Sequence, residues 1–144
     1  MMEAKSLPLK YWNKIGHYRL GRWCFAKLIC WRVPYFSSIS PSFLTYSEAS
    51  VKVSMRKKRG VTNHLGTIHV IAIANLCELA AGTLMEAGLM ASMRWIPKGM
   101  NINYIKSSKF IFFNACLNVF SVSVLILANF SGLLIVIIFF LILG

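Results

Sequence analysis

The rhythm of apolar and polar positions shifts along this chain, and each shift predicts an element. Over residues 6–32, Trp12, Ile15, Leu20, Trp23 and Leu28 recur at roughly helical spacing. Ser6 offers a cap and Pro8 suits a first turn, so the stretch reads as helical. Pro34 ends it, and residues 37–42, with Pro41, read as a connecting turn. From residue 46 to 55 the pattern switches to alternation: Val51, Val53 and Met55 face one way, Lys52, Ser54 and Arg56 the other, as in a strand. Residues 67–87 form the clearest helix, with Thr67 as its cap and Gly88 as its stop. Residues 93–100 give a strand and turn, and residues 101–106 alternate again as a strand.

The helix over 67–87 is apolar around nearly its whole circumference, which places it in a core or a membrane. Asn75, Glu78, Gly82 and Glu86, three and four apart, leave one narrow polar stripe. A helix wrapped by a sheet, with that stripe at an interface, fits better than a bilayer span. After Lys109 the pattern breaks, because residues 110–144 carry no charge and are rich in Phe, Ile, Leu and Val. Residues 119–143 are long enough to cross a bilayer as a helix, and a C-terminal apolar helix is the first expectation. Their β-branched content also allows residues 119–124 and 133–142 to be buried strands. An altered coding end that happens to be apolar is the third reading.

Charge sharpens this division. The chain holds 16 Lys+Arg against 4 Asp+Glu, a formal net charge of +12, all of it before residue 110. That balance favours anionic partners: nucleic acid, acidic lipid or a phosphate-rich ligand. Lys10, Lys14, Arg19, Arg22 and Lys27 interleave with the apolar positions of the N-terminal stretch. It reads as an amphipathic helix packing its aromatic face on the domain; a mitochondrial transit peptide or a membrane-surface helix is the sharper alternative. No cleavable secretory signal is expected, since the N-terminus has no uninterrupted apolar core. Arg56, Lys57, Lys58 and Arg59, closed by Gly60, read as a solvated loop or as a holder of phosphates at the mouth of a site. Nucleic acid ranks last among the partners, because this cluster lacks interleaved aromatics and no binding motif accompanies it. Cys24, Cys30, Cys77 and Cys116 show no CxxC spacing and no nearby His pair, so neither a disulfide framework nor a metal site is expected; Cys77 reads as a buried thiol.

Chemistry-bearing residues gather at the start of the central helix, in Asn63-His64-Leu65-Gly66-Thr67-Ile68-His69, followed along the helix by Glu78. This run resembles the active-site signature of hotdog-fold acyl-CoA thioesterases, where an Asn, a Gly-Thr-hydrophobic-His run and an acidic residue keep this spacing. Val33-Pro34-Tyr35-Phe36 and Arg94-Trp95-Ile96-Pro97-Lys98-Gly99-Met100 resemble a little-characterised thioesterase-like branch of that superfamily, and the similarity runs from about residue 18 to 106. The resemblance implies an α+β hotdog-like fold, a central helix wrapped by an antiparallel sheet, here incomplete because only two or three strands precede Lys109. It implies hydrolysis of acyl-CoA thioesters at sites shared across a homodimer, with coenzyme A entering only as part of the substrate and no separate cofactor.

The residue types carry that chemistry without the family name. Thioester hydrolysis needs an activated water and donors for the developing oxyanion. The start of the helix offers free N–H groups and the positive end of its dipole, beside Gly66, His69 and the Val70 N–H. Glu78 is the candidate base or nucleophile, expected to be buried, and Asn63 the group that orients water or thioester. The bland alternatives are a capping role for His69, a structural carboxylate at Glu78 paired with a basic residue, and a plain loop position for His64. Val70-Ile71, where many such thioesterases carry glycines, narrows the approach of an acyl chain. His69 and Glu78 stand about 13 Å and half a rotation apart along a helix. Two antiparallel copies facing across a dimer would bring one residue near the other.

The organisation expected is a basic amphipathic helix over 1–36, a partial hotdog domain over 37–109 and an apolar tail over 110–144. That tail would hold the protein in a membrane with its basic body cytoplasmic; a mitochondrial or cytoplasmic location is the alternative. The rival functional reading is a non-catalytic acyl-CoA-binding or membrane-anchored interaction protein.

Overall fold

The computed structural model describes residues 6–89, 94–104, 112–118, 123–127 and 134–143. The N-terminal stretch forms two helices rather than one, α1 (Leu7–Ile15) and α2 (Arg19–Arg32). The break falls at Gly16, whose N–H donates to the Trp12 carbonyl at 2.7 Å and whose carbonyl accepts from Arg22 Nε at 3.0 Å. Gly21 lets the helices close on each other: a Cβ there would stand 1.8 Å from the Ile15 carbonyl oxygen. Trp12 then packs among Phe25, Phe43 and Tyr46, with ring centroids 5.2, 6.3 and 6.1 Å away. The aromatic face packs on the domain as expected, and the core runs across the boundary drawn at residue 36. Trp23 and Trp31, in contrast, are 58% and 77% exposed.

A 3-10 turn (Pro34–Ile39) leads into β1 (Ser42–Tyr46), a strand that the sequence pattern did not announce. It pairs antiparallel with β2 (Ser50–Arg56), where Val51, Val53 and Met55 are buried as the alternation predicted. The central helix, α3 (Val70–Gly88), starts later than expected. His69 is its N-cap, and Thr67 is instead buried in the preceding loop. The two expected pieces after α3 form one strand, β3 (Arg94–Tyr104), whose register shifts between Pro97 and Gly99. Proline has no N–H to give a ladder, so an irregularity at that point accommodates it.

The expected C-terminal apolar helix is not what the described residues form. They are strands: β4 (Phe112–Asn118), β5 (Ser123–Leu127) and β6 (Leu134–Leu143). β4 pairs antiparallel with β2, and β6 pairs antiparallel with both β3 and β5. Two three-stranded sheets result, β1-β2-β4 and β3-β6-β5, and β4 lies against β5. α3 crosses strands of both, touching β2, β4 and β6. The strands that seemed missing are therefore supplied by the apolar tail. A strand with neighbours on both sides reads as a continuous apolar run, and periodicity cannot separate that from a buried helix. Part of the strand reading, residues 119–122 and 133, lies outside the described residues. Among the described residues only α3 is long and apolar enough to cross a membrane, and it is mostly buried as the core helix of this fold.

Candidate active site at the start of the central helix

The chain between β2 and α3 closes into a tight loop. His69 N–H donates to the Val61 carbonyl at 2.8 Å, Asn63 N–H to the Thr67 carbonyl at 2.9 Å, and Thr62 bridges Ile68. Asn63 fastens the inside of this loop. Its Oδ1 accepts from the Leu65 N–H at 3.0 Å and the Thr67 N–H at 3.1 Å, while its Nδ2 donates to Thr67 Oγ1 at 2.8 Å. Gly66 has φ +70 with open space where a Cβ would stand, so backbone conformation rather than room calls for glycine. Leu65 and His64 are exposed at the loop tip, as a loop reading of His64 requires.

His69 closes the loop and opens the helix. Its Nδ1 accepts from the Ile71 N–H at 3.2 Å, so in the neutral ring the proton sits on Nε2. Its carbonyl accepts from the Ala72 and Ile73 N–H groups at 2.9 and 3.3 Å. The capping alternative is thus realised, but on the surface: His69 is exposed rather than a core histidine. Among the N–H groups of the first turn, that of Val70 has no acceptor among the described residues.

Asn63, Gly66, His69 and Val70 therefore come together, and Glu78 does not join them. It lies about 13 Å further along α3 by helical rise. It is half-buried rather than enclosed, and it has no ion pair with a basic residue among the described residues. Arg56, Lys58 and Arg59 are exposed and Lys57 half-buried at the entry to the loop. Lys58 is drawn aside, its Nζ donating to Ser40 Oγ at 2.6 Å.

Two features escaped the sequence reading. Asn75 is buried, its Nδ2 donating to Ser38 Oγ at 3.1 Å, while its Oδ1 has no partner among the described residues. The polar stripe located Asn75, but its partner comes from the 3-10 turn, which is remote in sequence. Trp95 of β3 lies over Gly82 and donates from Nε1 to Glu86 Oε2 at 3.3 Å, so these two positions of the stripe meet a partner within the chain. Cys77 is fully buried as expected, and burial pushes its thiol up to about 12.

A central helix laid across antiparallel strands, with a glycine-bearing loop and a histidine cap at its start, is a hotdog-like fold. The chain belongs to the family described as Domain of unknown function (DUF4442), which it matches over residues 21–110. Among solved structures it is similar to the structural-genomics protein APC5556, at 27% identity and a TM-score of 0.77, covering 94% of this chain and 96% of that one. It is also similar to the thioesterase HI1161 of Haemophilus influenzae, at 10% identity and a TM-score of 0.69, covering 76% and 82% of the two chains. The Pseudomonas aeruginosa thioesterase PA1618 matches at 13% identity and a TM-score of 0.68, over 76% and 85%. These last two likenesses concern the fold. No match was found among curated proteins.

Proposed function

We propose that this protein hydrolyses thioesters, with acyl-CoA as the substrate class and the site shared between two copies of the chain. The observation that carries the proposal is the open Val70 N–H at the positive end of α3, beside the exposed His69, whose Nδ1 is engaged by the Ile71 N–H. In this reading the thioester carbonyl oxygen sits on the Val70 N–H and accepts a second hydrogen bond from His69 Nε2–H. Glu78 of the second copy takes a proton from water as the hydroxide attacks the carbonyl carbon. The C–S bond then breaks, the carboxylic acid leaves, and the thiolate recovers a proton. Asn63 holds the loop that places this donor, and Arg56, Lys57 and Arg59 meet the coenzyme A phosphates. Glu78, half-buried and without a partner among the described residues, has the exposure and the unengaged oxygens that a base requires.

The test is hydrolysis of short, medium and long acyl-CoAs by the parent protein and by Glu78→Gln. The variant is expected to fold normally and lose about 100-fold or more in rate, the scale of a lost general base. Equal rates would remove Glu78 from the mechanism, and an inactive parent would remove the reaction. Mixing inactive His69→Ala and Glu78→Gln chains is expected to restore activity, since one site of each heterodimer is intact. Heterodimers that form but stay inactive would place the site within one chain.

A further inference from the structure

The side of the molecule formed by α2 takes no part in that chemistry. α2 buries Phe25 and Ala26 and turns the opposite face outward. That face holds Leu20, Trp23, Leu28 and Trp31, exposed to 71, 58, 43 and 77%. Large apolar side chains contiguous on one helix face mark a contact surface rather than scattered exposure. Arg19 and Lys27 are interleaved with them, and Lys27 Nζ stands 5.7 Å over the Trp23 ring. Beside this face, between α2 and the corner leading into β1, lies a cleft of about 470 Å³. Arg19, Arg22 and Lys27 surround it, Ser40 offers a hydroxyl that already holds Lys58, and Phe43 lies in its floor. No carboxylate occurs in the sequence between Glu3 and Glu48. The three cleft cations have no ion-pair partner among the described residues.

We infer that this face docks on an anionic phospholipid surface, the cleft taking a phosphate headgroup while the two tryptophans and Leu20 enter the interface. A soluble phosphate ligand would account for the cations but not for the apolar side chains beside the cleft mouth. A lipid surface accounts for both, since aromatic rings sit at headgroup level and basic side chains reach the phosphates. The docking surface is separate from the start of α3, so it neither requires nor excludes hydrolysis there.

The experiment is co-sedimentation of the full chain with vesicles of phosphatidylcholine alone and of equimolar phosphatidylcholine and phosphatidylglycerol. Binding is expected to the anionic vesicles and to weaken with salt. Each basic residue near such a surface is worth about a factor of five, so Arg19→Ser with Lys27→Ser is expected to weaken binding about 30-fold. Trp23→Ser with Trp31→Ser is expected to abolish the blue shift of tryptophan emission on vesicles and to weaken binding at least as much. These side chains are exposed, so circular dichroism and acyl-CoA hydrolysis should match the parent. Unchanged vesicle binding in both pairs would overturn the proposal. So would binding of inorganic pyrophosphate by a chain that does not sediment with anionic vesicles, which would assign the cleft to a soluble ligand. Conversion of an oligomer to monomers by the tryptophan pair, with vesicle binding intact, would assign the face to a second copy.

Discussion

Asn63 shows how much of a loop one side chain can hold. It contributes three hydrogen bonds inside the loop, each worth about 1 kcal/mol net. Asn63→Ala is therefore expected to lower stability by about 2–3 kcal/mol and hydrolysis with it. Asn63→Asp keeps the two acceptances from backbone and should retain most of both. Urea titration beside rate measurement checks this; full stability with lost activity in the alanine variant would place Asn63 on the substrate instead. Burial makes a second prediction at this scale. Cys77 has its thiol raised from 9.0 to about 12, so between those values the unfolded chain releases a proton that the folded chain keeps. Stability is thus fully present below pH 9 and falls as pH rises through that window, by at most about 1.4 kcal/mol per pH unit. Tyr46, raised by burial and then by Glu86, acts in the same direction. In a Cys116→Ser background, alkylation is expected to reach exposed Cys24 first, half-buried Cys30 more slowly and Cys77 only on unfolding.

The elements are held by close approaches as much as by apolar area. On α3, a Cβ at Gly82 would meet the Trp95 ring at 2.8 Å. Gly82→Ala is expected to displace the indole from Glu86 and lower stability by about 1–3 kcal/mol, the usual scale of overpacking. A blue or red shift of tryptophan emission together with the unfolding midpoint reads both consequences; an unchanged midpoint would show that β3 yields freely. At the other end of α3, the cap is a histidine rather than the threonine that sequence pattern suggested. Thr67 would have sufficed by residue type, but its hydroxyl already accepts from Asn63. Capping preferences describe isolated ends, and here the loop decided which residue stood at the end.

For the molecule as a whole, the C-terminal strands are the test of the fold. β2 takes β4 as its second neighbour, and β6 is the partner of β3 among the described residues. A chain truncated after Lys109 loses all three tail strands and is expected to give no cooperative unfolding transition and fast amide exchange in α3. A cooperative transition from the truncated chain would mean that the tail is dispensable to the core. With the tail paired as sheet, the full chain is expected to leave membranes on alkaline carbonate washing, as a peripherally docked protein does. Retention after the wash would show the tail inserted into the bilayer.

Local pattern determined much of this protein. Alternation marked β2, the apolar circumference marked α3 as a core helix, and the run from Asn63 to His69 marked the loop where the candidate site lies. Those signals are short-range, carried by residues a few positions apart. Three-dimensional packing decided the rest. Whether residues 123–127 and 134–143 become helix or strand depends on partners far away in sequence, because an uncharged apolar run satisfies either once its backbone is paired. The division of the N-terminal helix, the cleft beside it and the buried amide of Asn75 likewise depend on contacts between segments that no local pattern encodes.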